Sequence, residues 1–336
     1  MGHVINEKVL ICGIGKDVEV AVPNTIASIE AIGSQFADYQ VIIYENNSKD
    51  QTKSLFQKWA AKNPKVIFMS ETVSKEQLKK ESCMQIRNRT ETIARARNIV
   101  LDKAMRPQFD DFKYVIIADL DFVHYPWDVA NIVDTILHPE HEWDAVFANG
   151  SYDEFALRTL EFPIGQELVG DYYWSHHEQL RNKLSALDYF RQSQPWIKVY
   201  SAFGGLGIYK REAMRGCKYS GVVTKNLEKV ALSWLEEASQ KQDIPFLEDY
   251  QTQLNTLPIY DITEKQISNR KKYPKHMGVR LHNKFGNGQI VWFSCTPPHT
   301  LPWTCEHIPF HATMILNGHD KLFINPRLIS TVAGPP

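Results

Sequence analysis

The sequence predicts an α/β protein, a mostly parallel sheet flanked by helices with an irregular second half. Two observations carry that prediction. Through residues 1–150, strand-length apolar runs alternate with helix-period stretches, the pattern of βαβ units with right-handed crossovers. One run, Tyr114-Val-Ile-Ile-Ala-Asp-Leu-Asp-Phe122, passes straight from a buried strand into Asp119 and Asp121. In open α/β sheets ligands bind at the carboxyl ends of the strands, so this pair stands where chemistry is expected.

Taken in order, residues 9–14 read as a first buried strand closed by Gly15, and residues 18–36 as a helix. Residues 40–45 form a second strand, followed by the polar turn Asn46-Asn-Ser-Lys-Asp50. Residues 52–61 place Leu55, Phe56 and Trp59 on one helical face, and residues 66–69 make a short third strand. A long helix over 86–105, the strand 113–119, a helix over 127–137 and a strand over 143–148 complete the first half. Residues 150–200 are rich in aromatics and charges and suit a substrate-covering region rather than a sheet. Ser201-Ala-Phe-Gly-Gly-Leu-Gly-Ile-Tyr209 mixes strand residues with three glycines, residues 221–280 are polar, and a final helix spans 307–317. The basic cluster Arg270, Lys271, Lys272 and Lys275 reads as a solvated surface or an acidic-ligand contact. No repeat or linker interrupts the chain, so residues 1–150 and 151–336 are expected to be two halves of one compact catalytic unit.

Composition narrows the function classes. At 336 residues and 43% hydrophobic content the chain can bury a full core. A formal net charge of -1 leaves no electrostatic footprint for nucleic acid. The N-terminal residues lack a secretory pattern and the longest apolar runs are strand-length, so no integral membrane segment is expected. Five scattered cysteines without a C-x-x-C pair argue against zinc or a disulfide framework and for a reducing, cytoplasmic location. The sequons at Asn46 and Asn88 are then coincidental.

Three constellations carry chemistry. Strand alternation turns Asp119 and Asp121 to one side with Leu120 opposite. Two carboxylates so close repel unless a cation is shared, which suits Mn2+ or Mg2+, although aspartates also cap helices and turns. Glu45 ends the second strand, where an acid can accept from ribose or base, while Asp50 suits a helix cap. In Arg89-Thr-Glu-Thr-Ile-Ala-Arg-Ala-Arg-Asn98, helical spacing turns Arg97 inward and leaves Arg95 an ordinary exposed charge. An inward arginine needs an anion, either the Asp119–Asp121 pair or a bound diphosphate.

The order of an acid-Asn-x-Ser-x-Asp-x-Thr turn at Glu45, an Arg-x-x-x-Ile-Ala-x-x-Arg-Asn helix at Arg89 and an Ala-Asp-x-Asp-Phe strand at Ala118 resembles the nucleotide-sugar half of a GT-A-fold glycosyltransferase. The similarity is greatest to the fungal capsule-associated α-mannosyltransferase family. It continues in Tyr152-Asp-Glu-Phe-Ala-Leu-Arg158, Phe203-Gly-Gly-Leu-Gly-Ile-Tyr209, Cys305-Glu-His-Ile-Pro-Phe310 and the closing segment from Gly318 to Arg327. Those fungal enzymes usually carry a membrane anchor, and none is expected here.

The resemblance implies a GT-A-type, Rossmann-like fold and a metal-dependent transfer of a hexose, with mannose favoured. The donor is a GDP- or UDP-sugar, and the acceptor a glycan, a lipid-linked sugar or a protein. Retention of configuration is the leaning, and a carboxylate base would give inversion. The donor would lie against Cys12, Gly13, Glu45, Asn47, Arg89, Arg97, Asp119 and Gly205, with Asp119, Asp121 and His307 around the metal. Glu306 is either a base toward the acceptor or a helix N-terminal acid. Asp153 holds sugar hydroxyls beside Arg158, and the Gly204-Gly205 backbone permits close approach of a sugar or merely makes a tight turn. Trp174, Trp196 and Trp303 stack on sugar rings or fill core. Two rivals stand beside this reading. One is a sugar-phosphate nucleotidyltransferase, faintly suggested by Cys12-Gly-Ile-Gly-Lys-Asp17. The other is a catalytically silent carbohydrate-binding protein on the same fold.

Overall fold

The computed structural model describes residues 4–81, 89–120, 127–138, 141–149, 155–160, 163, 195–222, 224–241, 259–261, 278–282, 291–295 and 304–329. Its strands are β1 (Ile5–Gly15), β2 (Phe36–Asn46), β3 (Val66–Glu71), β4 (Phe112–Asp119), β5 (Ala145–Ala148), β6 (Ile197–Lys198), β7 (Leu206–Lys210) and β11 (Leu322–Asn325), joined in one sheet of order β3-β2-β1-β4-β7-β5-β11-β6. Six of these run in one direction and only β6 and β7 oppose them, so the sheet is mostly parallel. The short strands β8 (Ile259–Asp261), β9 (Gly278–His282) and β10 (Val291–Cys295) make a separate antiparallel sheet.

Seven helices are described: α1 (Val22–Gly33), α2 (Thr52–Lys62), α3 (Lys75–Glu81), α4 (Arg89–Ala104), α5 (Val129–Leu137), α6 (Lys225–Lys241) and α7 (His307–Leu316). None among the described residues is long and apolar enough to cross a membrane. Strand alternation sorts the core into two layers. Val9, Ile11, Val41, Ile43, Ile116, Ala118 and Leu120 face α1, α2 and α5, whereas Leu10, Cys12, Ile42, Tyr44, Val115 and Ile117 face α4, α6 and α7. Continuous apolar runs such as Val9–Ile11, fully buried on both faces, are what a covered parallel sheet demands.

Several boundaries differ from the sequence reading. The helix expected over 18–36 is shorter at both ends. Pro23 sits at its first turn, where a missing N–H costs nothing, and Phe36 already opens β2. The polar stretch after residue 221 contains α6, whose Leu227, Val230, Ala231, Trp234 and Ala238 are buried at helical spacing. Overall polarity concealed that stripe. Arg95 is not an ordinary exposed charge. It is half-buried and pairs with Glu71 and Glu81. Strands β6, β7 and β11 from residues beyond 150 complete the sheet begun by the first half. The cluster at Arg270–Lys275, Trp174, Trp303, Asp121 and Asp153 lie outside the described residues.

Two close-packed positions yield predictions. A Cβ on Gly221 would stand 2.2 Å from the Glu91 backbone nitrogen and 2.3 Å from the Thr90 carbonyl carbon. Gly221→Ala should therefore push the first turn of α4 away and cost about 1–3 kcal/mol in urea unfolding. An unchanged midpoint would contradict that contact. His311 is fully buried, its Nδ1 2.9 Å from Ser201 Oγ and its Nε2 3.0 Å from Tyr209 Oη. Burial pushes its pKa down to about 3. The unfolded imidazole binds a proton near 6.5 and the folded one does not, so between those values stability falls as pH falls. The loss is up to about 1.4 kcal/mol per pH unit. The stability–pH slope between about pH 6 and 4 should flatten in His311→Gln, and an identical slope would refute the neutral buried ring.

Candidate active site

The site lies at the carboxyl edge of the sheet, in a cleft of ≈ 470 Å³ between β1, β2, β4, α4 and the start of α7. Asp119, the last residue of β4, shares the face of Val115 and Ile117 and so points toward α4. There Arg97 meets it, Nη2 donating to Asp119 Oδ1 at 2.7 Å. The same guanidinium donates through Nε to Glu306 Oε1 at 2.8 Å. Helical spacing indicated that Arg97 turns inward and needs an anion, and the structure supplies Asp119 and Glu306. Glu306 precedes α7 and makes no side-chain cap there, so its carboxylate serves Arg97 rather than the helix end.

Aromatic rings close around this bridge. The Arg97 Cζ lies 4.9 Å from the Phe203 ring centre and 5.9 Å from that of Tyr219. His307 stacks on Phe203 at 3.8 Å between ring centres, and Tyr219 meets His307 edge-on. His307 is 1% exposed, and burial, with the Arg97 charge second, pushes its pKa well below the usual imidazole value. Four atoms here are buried without a hydrogen-bond partner among the described residues: Arg97 Nη1, Tyr219 Oη and both ring nitrogens of His307. Such groups are costly to bury unsatisfied, so each calls for a water, an ion or a ligand group.

A divalent cation together with bound phosphates would answer both kinds of group, since the donor Arg97 Nη1 needs an anion and the imidazole lone pair of His307 suits a cation. No three His, Cys, Asp or Glu side chains converge as a metal group among the described residues. Yet such ions are commonly held by one or two protein groups together with substrate phosphates. Asp119 offers a carboxylate, and His307, neutral and unbonded, offers an imidazole lone pair that manganese accepts among oxygen ligands. The Asp119–Arg97–Glu306 bridge carries one net negative charge, which favours a cation beside it.

Other expected donor contacts fall elsewhere. Glu45 faces away from the cleft. Its Oε1 accepts from the Ser48 backbone N–H at 2.6 Å and its Oε2 from Ser70 Oγ at 2.8 Å. Asn47, held at φ 58°, bridges to the backbone of Val73 through both ends of its amide. Cys12 is buried in β1, and Gly13 faces the other layer, where a Cβ would meet Leu120 at 2.8 Å. Gly205 has φ 84° beside Gly204 at 60°, a turn conformation, and its carbonyl accepts from the Asp119 N–H at 2.9 Å. Arg158 is buried and donates to the carbonyls of Phe155 and Leu157. Trp196 stacks on His141 at 4.7 Å and does not line the cleft.

Arg89 does line it, exposed at the start of α4, together with Lys16 of the Cys12–Asp17 turn and with Tyr44 and Asn46, which the sequence reading did not single out as ligands. Strand alternation could have found the last two, because Glu45 lies between them and points the opposite way. The wall they form is stiff. Asp17 N–H donates to Ser48 Oγ, Val18 N–H to Thr52 Oγ1 and Glu19 N–H to Asp50 Oδ2, while Lys49 and Gln51 return bonds to Asp17 and Glu19. The loops after β1 and β2 are thereby laced together.

No protein-family model matches the sequence, and no curated protein matches it. Among solved structures the chain is similar to residues 1–349 of S. aureus TarS, at 12% identity over 69% of this chain and a TM-score of 0.35. It spans 55% of that TarS fragment. It is similar to mannosyltransferase PcManGT from Pyrobaculum calidifontis, in complex with GDP-Man and Mn2+, at 12% identity, 79% of this chain, 72% of that one and a TM-score of 0.37. It is also similar to 4-diphosphocytidyl-2C-methyl-D-erythritol synthase from Anaerococcus prevotii, at 8% identity, 74% of this chain, 83% of that one and a TM-score of 0.31.

Proposed function

We propose that the protein is a metal-dependent glycosyltransferase that moves a hexose from a nucleotide diphosphate sugar to an acceptor hydroxyl. The observation that carries this reading is the buried Asp119–Arg97–Glu306 bridge at the carboxyl edge of the sheet, with the unbonded His307 ring alongside. Asp119 and His307 would hold Mn2+ or Mg2+, with Asp121 as a further ligand. The ion supplies positive charge against the departing diphosphate. Arg97 holds Asp119 in place and presents its free Nη1 as a donor to the same anion. Arg89 and Lys16, both on the cleft wall, add positive charge to it.

Glu306 is a positioning residue in this scheme. Its Oε1 already accepts from Arg97, so that oxygen is engaged in the bridge rather than turned to an acceptor hydroxyl. The proton of the acceptor hydroxyl then passes to the leaving diphosphate, and configuration is retained. Asp153 is assigned to the sugar hydroxyls, and mannose is the favoured sugar, both on the sequence resemblance. The acceptor is a glycan, a lipid-linked sugar or a protein.

The test is release of nucleoside diphosphate from GDP-mannose, UDP-glucose, UDP-galactose and UDP-N-acetylglucosamine, with manganese and with chelator. Metal-dependent release from one donor is expected. Binding without release from any donor, across added acceptors, would favour a silent binding protein. One observation favours a second reading: Lys16 lines the cleft directly after Gly13-Ile-Gly15, as a phosphate-binding loop of a nucleotidyltransferase would require. Pyrophosphate release from a nucleoside triphosphate and a sugar phosphate would establish that alternative.

A further inference from the structure

Arg95 sits on α4 two residues before Arg97 and is not among the residues lining the cleft. Its Nη1 donates to Tyr44 Oη at 3.0 Å and to Glu71 Oε1 at 2.5 Å, and its Nε bonds Glu81. The Tyr44 hydroxyl donates in turn to Glu71. One guanidinium thus ties together α4, the end of β2, the end of β3 and the end of α3. Tyr44 is 2% exposed and is one of the residues lining the cleft.

The register of the sheet says which part of a ligand that wall would meet. Ile14 of β1 pairs with Tyr44 on one side and with Asp119 on the other, so the three form one row along the carboxyl edge. Tyr44 and Asp119 share a face and stand two strand spacings apart, roughly 10 Å. With the diphosphate at Asp119 and Arg97, a ligand lying along that row brings its nucleoside to Tyr44 and Asn46.

We infer that Arg95 is a positioning residue for the nucleoside end of the donor, acting through the Tyr44 ring that it fixes. This rests on the nucleotide-sugar reading of the cleft. The pairs that Arg95 makes are partly open to solvent, with Glu71 37% and Glu81 41% exposed, so they contribute little to stability. Their effect is geometric: three acceptors hold one planar fork, and the fork holds one hydroxyl. A lysine at the same position offers a point charge without the planar fork that fixes where the hydroxyl sits.

The test measures binding of UDP, GDP and inorganic pyrophosphate, with manganese present, to the full chain and to Arg95→Met, Arg95→Lys and Tyr44→Phe. The expected result is about tenfold weaker binding of the preferred nucleoside diphosphate in all three variants, with pyrophosphate binding unchanged and only a small shift in melting temperature. In donor turnover the same variants should raise KM more than they lower kcat. Unchanged nucleoside diphosphate affinity would overturn the assignment, as would an equal loss for pyrophosphate, which would make the effect general rather than nucleoside-directed. A full-length protein that binds pyrophosphate but neither nucleoside diphosphate would overturn the nucleotide-sugar reading, and this inference with it.

Discussion

Arg97→Met should lower the unfolding free energy by about 3–5 kcal/mol and abolish donor turnover. The side chain is 5% exposed and is the counter-ion of two carboxylates, one of them 8% exposed. Methionine fills much of its volume but leaves Asp119 and Glu306 facing each other without the cation between them. That mutual repulsion, added to the cost of burying an unpaired carboxylate, exceeds anything lost in packing. Urea unfolding with an unchanged m-value measures it. The double variant Arg97→Met/Glu306→Gln should recover part of the stability, since one of the stranded charges is gone, and no part of the turnover. A loss below about 1 kcal/mol in the single variant would mean that the bridge is not formed in solution.

Asp119→Asn should leave the fold standing and remove at least about a hundredfold of kcat/KM for the donor. The amide keeps the shape, so the loss reports the negative charge and the acceptor that goes with it. Asp119 is 22% exposed, and its backbone N–H still bonds the Gly205 carbonyl, so the strand end stays in place. Manganese should raise the melting temperature of the wild-type protein and not that of the variant. Turnover within a few-fold of wild type would remove Asp119 from the metal and donor site.

Much of the framework was legible because it rests on local rules. Buried strands announce themselves by unbroken apolar runs, and the inward turn of Arg97 follows from its spacing along α4. Its second partner, Glu306, lies 209 residues further on, and no local rule relates two such positions. The turn after β2 shows the opposite failure. Glu45, Asn47, Ser48, Asp50 and Thr52 have the hydroxyls, amides and carboxylates that hold sugars and riboses, and from sequence Glu45 and Asn47 read as donor contacts while Asp50 reads as a cap. In the structure those groups satisfy neighbouring backbone N–H and C=O groups instead. The chemistry that grips a ribose hydroxyl also grips a peptide, so residue type alone does not separate a binding loop from a laced one. Tyr219 was not foreseen because its role depends on rings brought from three parts of the chain.

The bridge draws on residues 97, 119 and 306, and the sheet beside it is completed only when Leu322–Asn325 takes its place between β5 and β6. A chain comprising only residues 1–150 therefore lacks part of this cluster. Any fragment ending before residue 304 holds Arg97 and Asp119 but neither Glu306 nor His307. Under the proposed function such a fragment would lack the His307 ring and the second counter-charge of Arg97, and with them donor turnover.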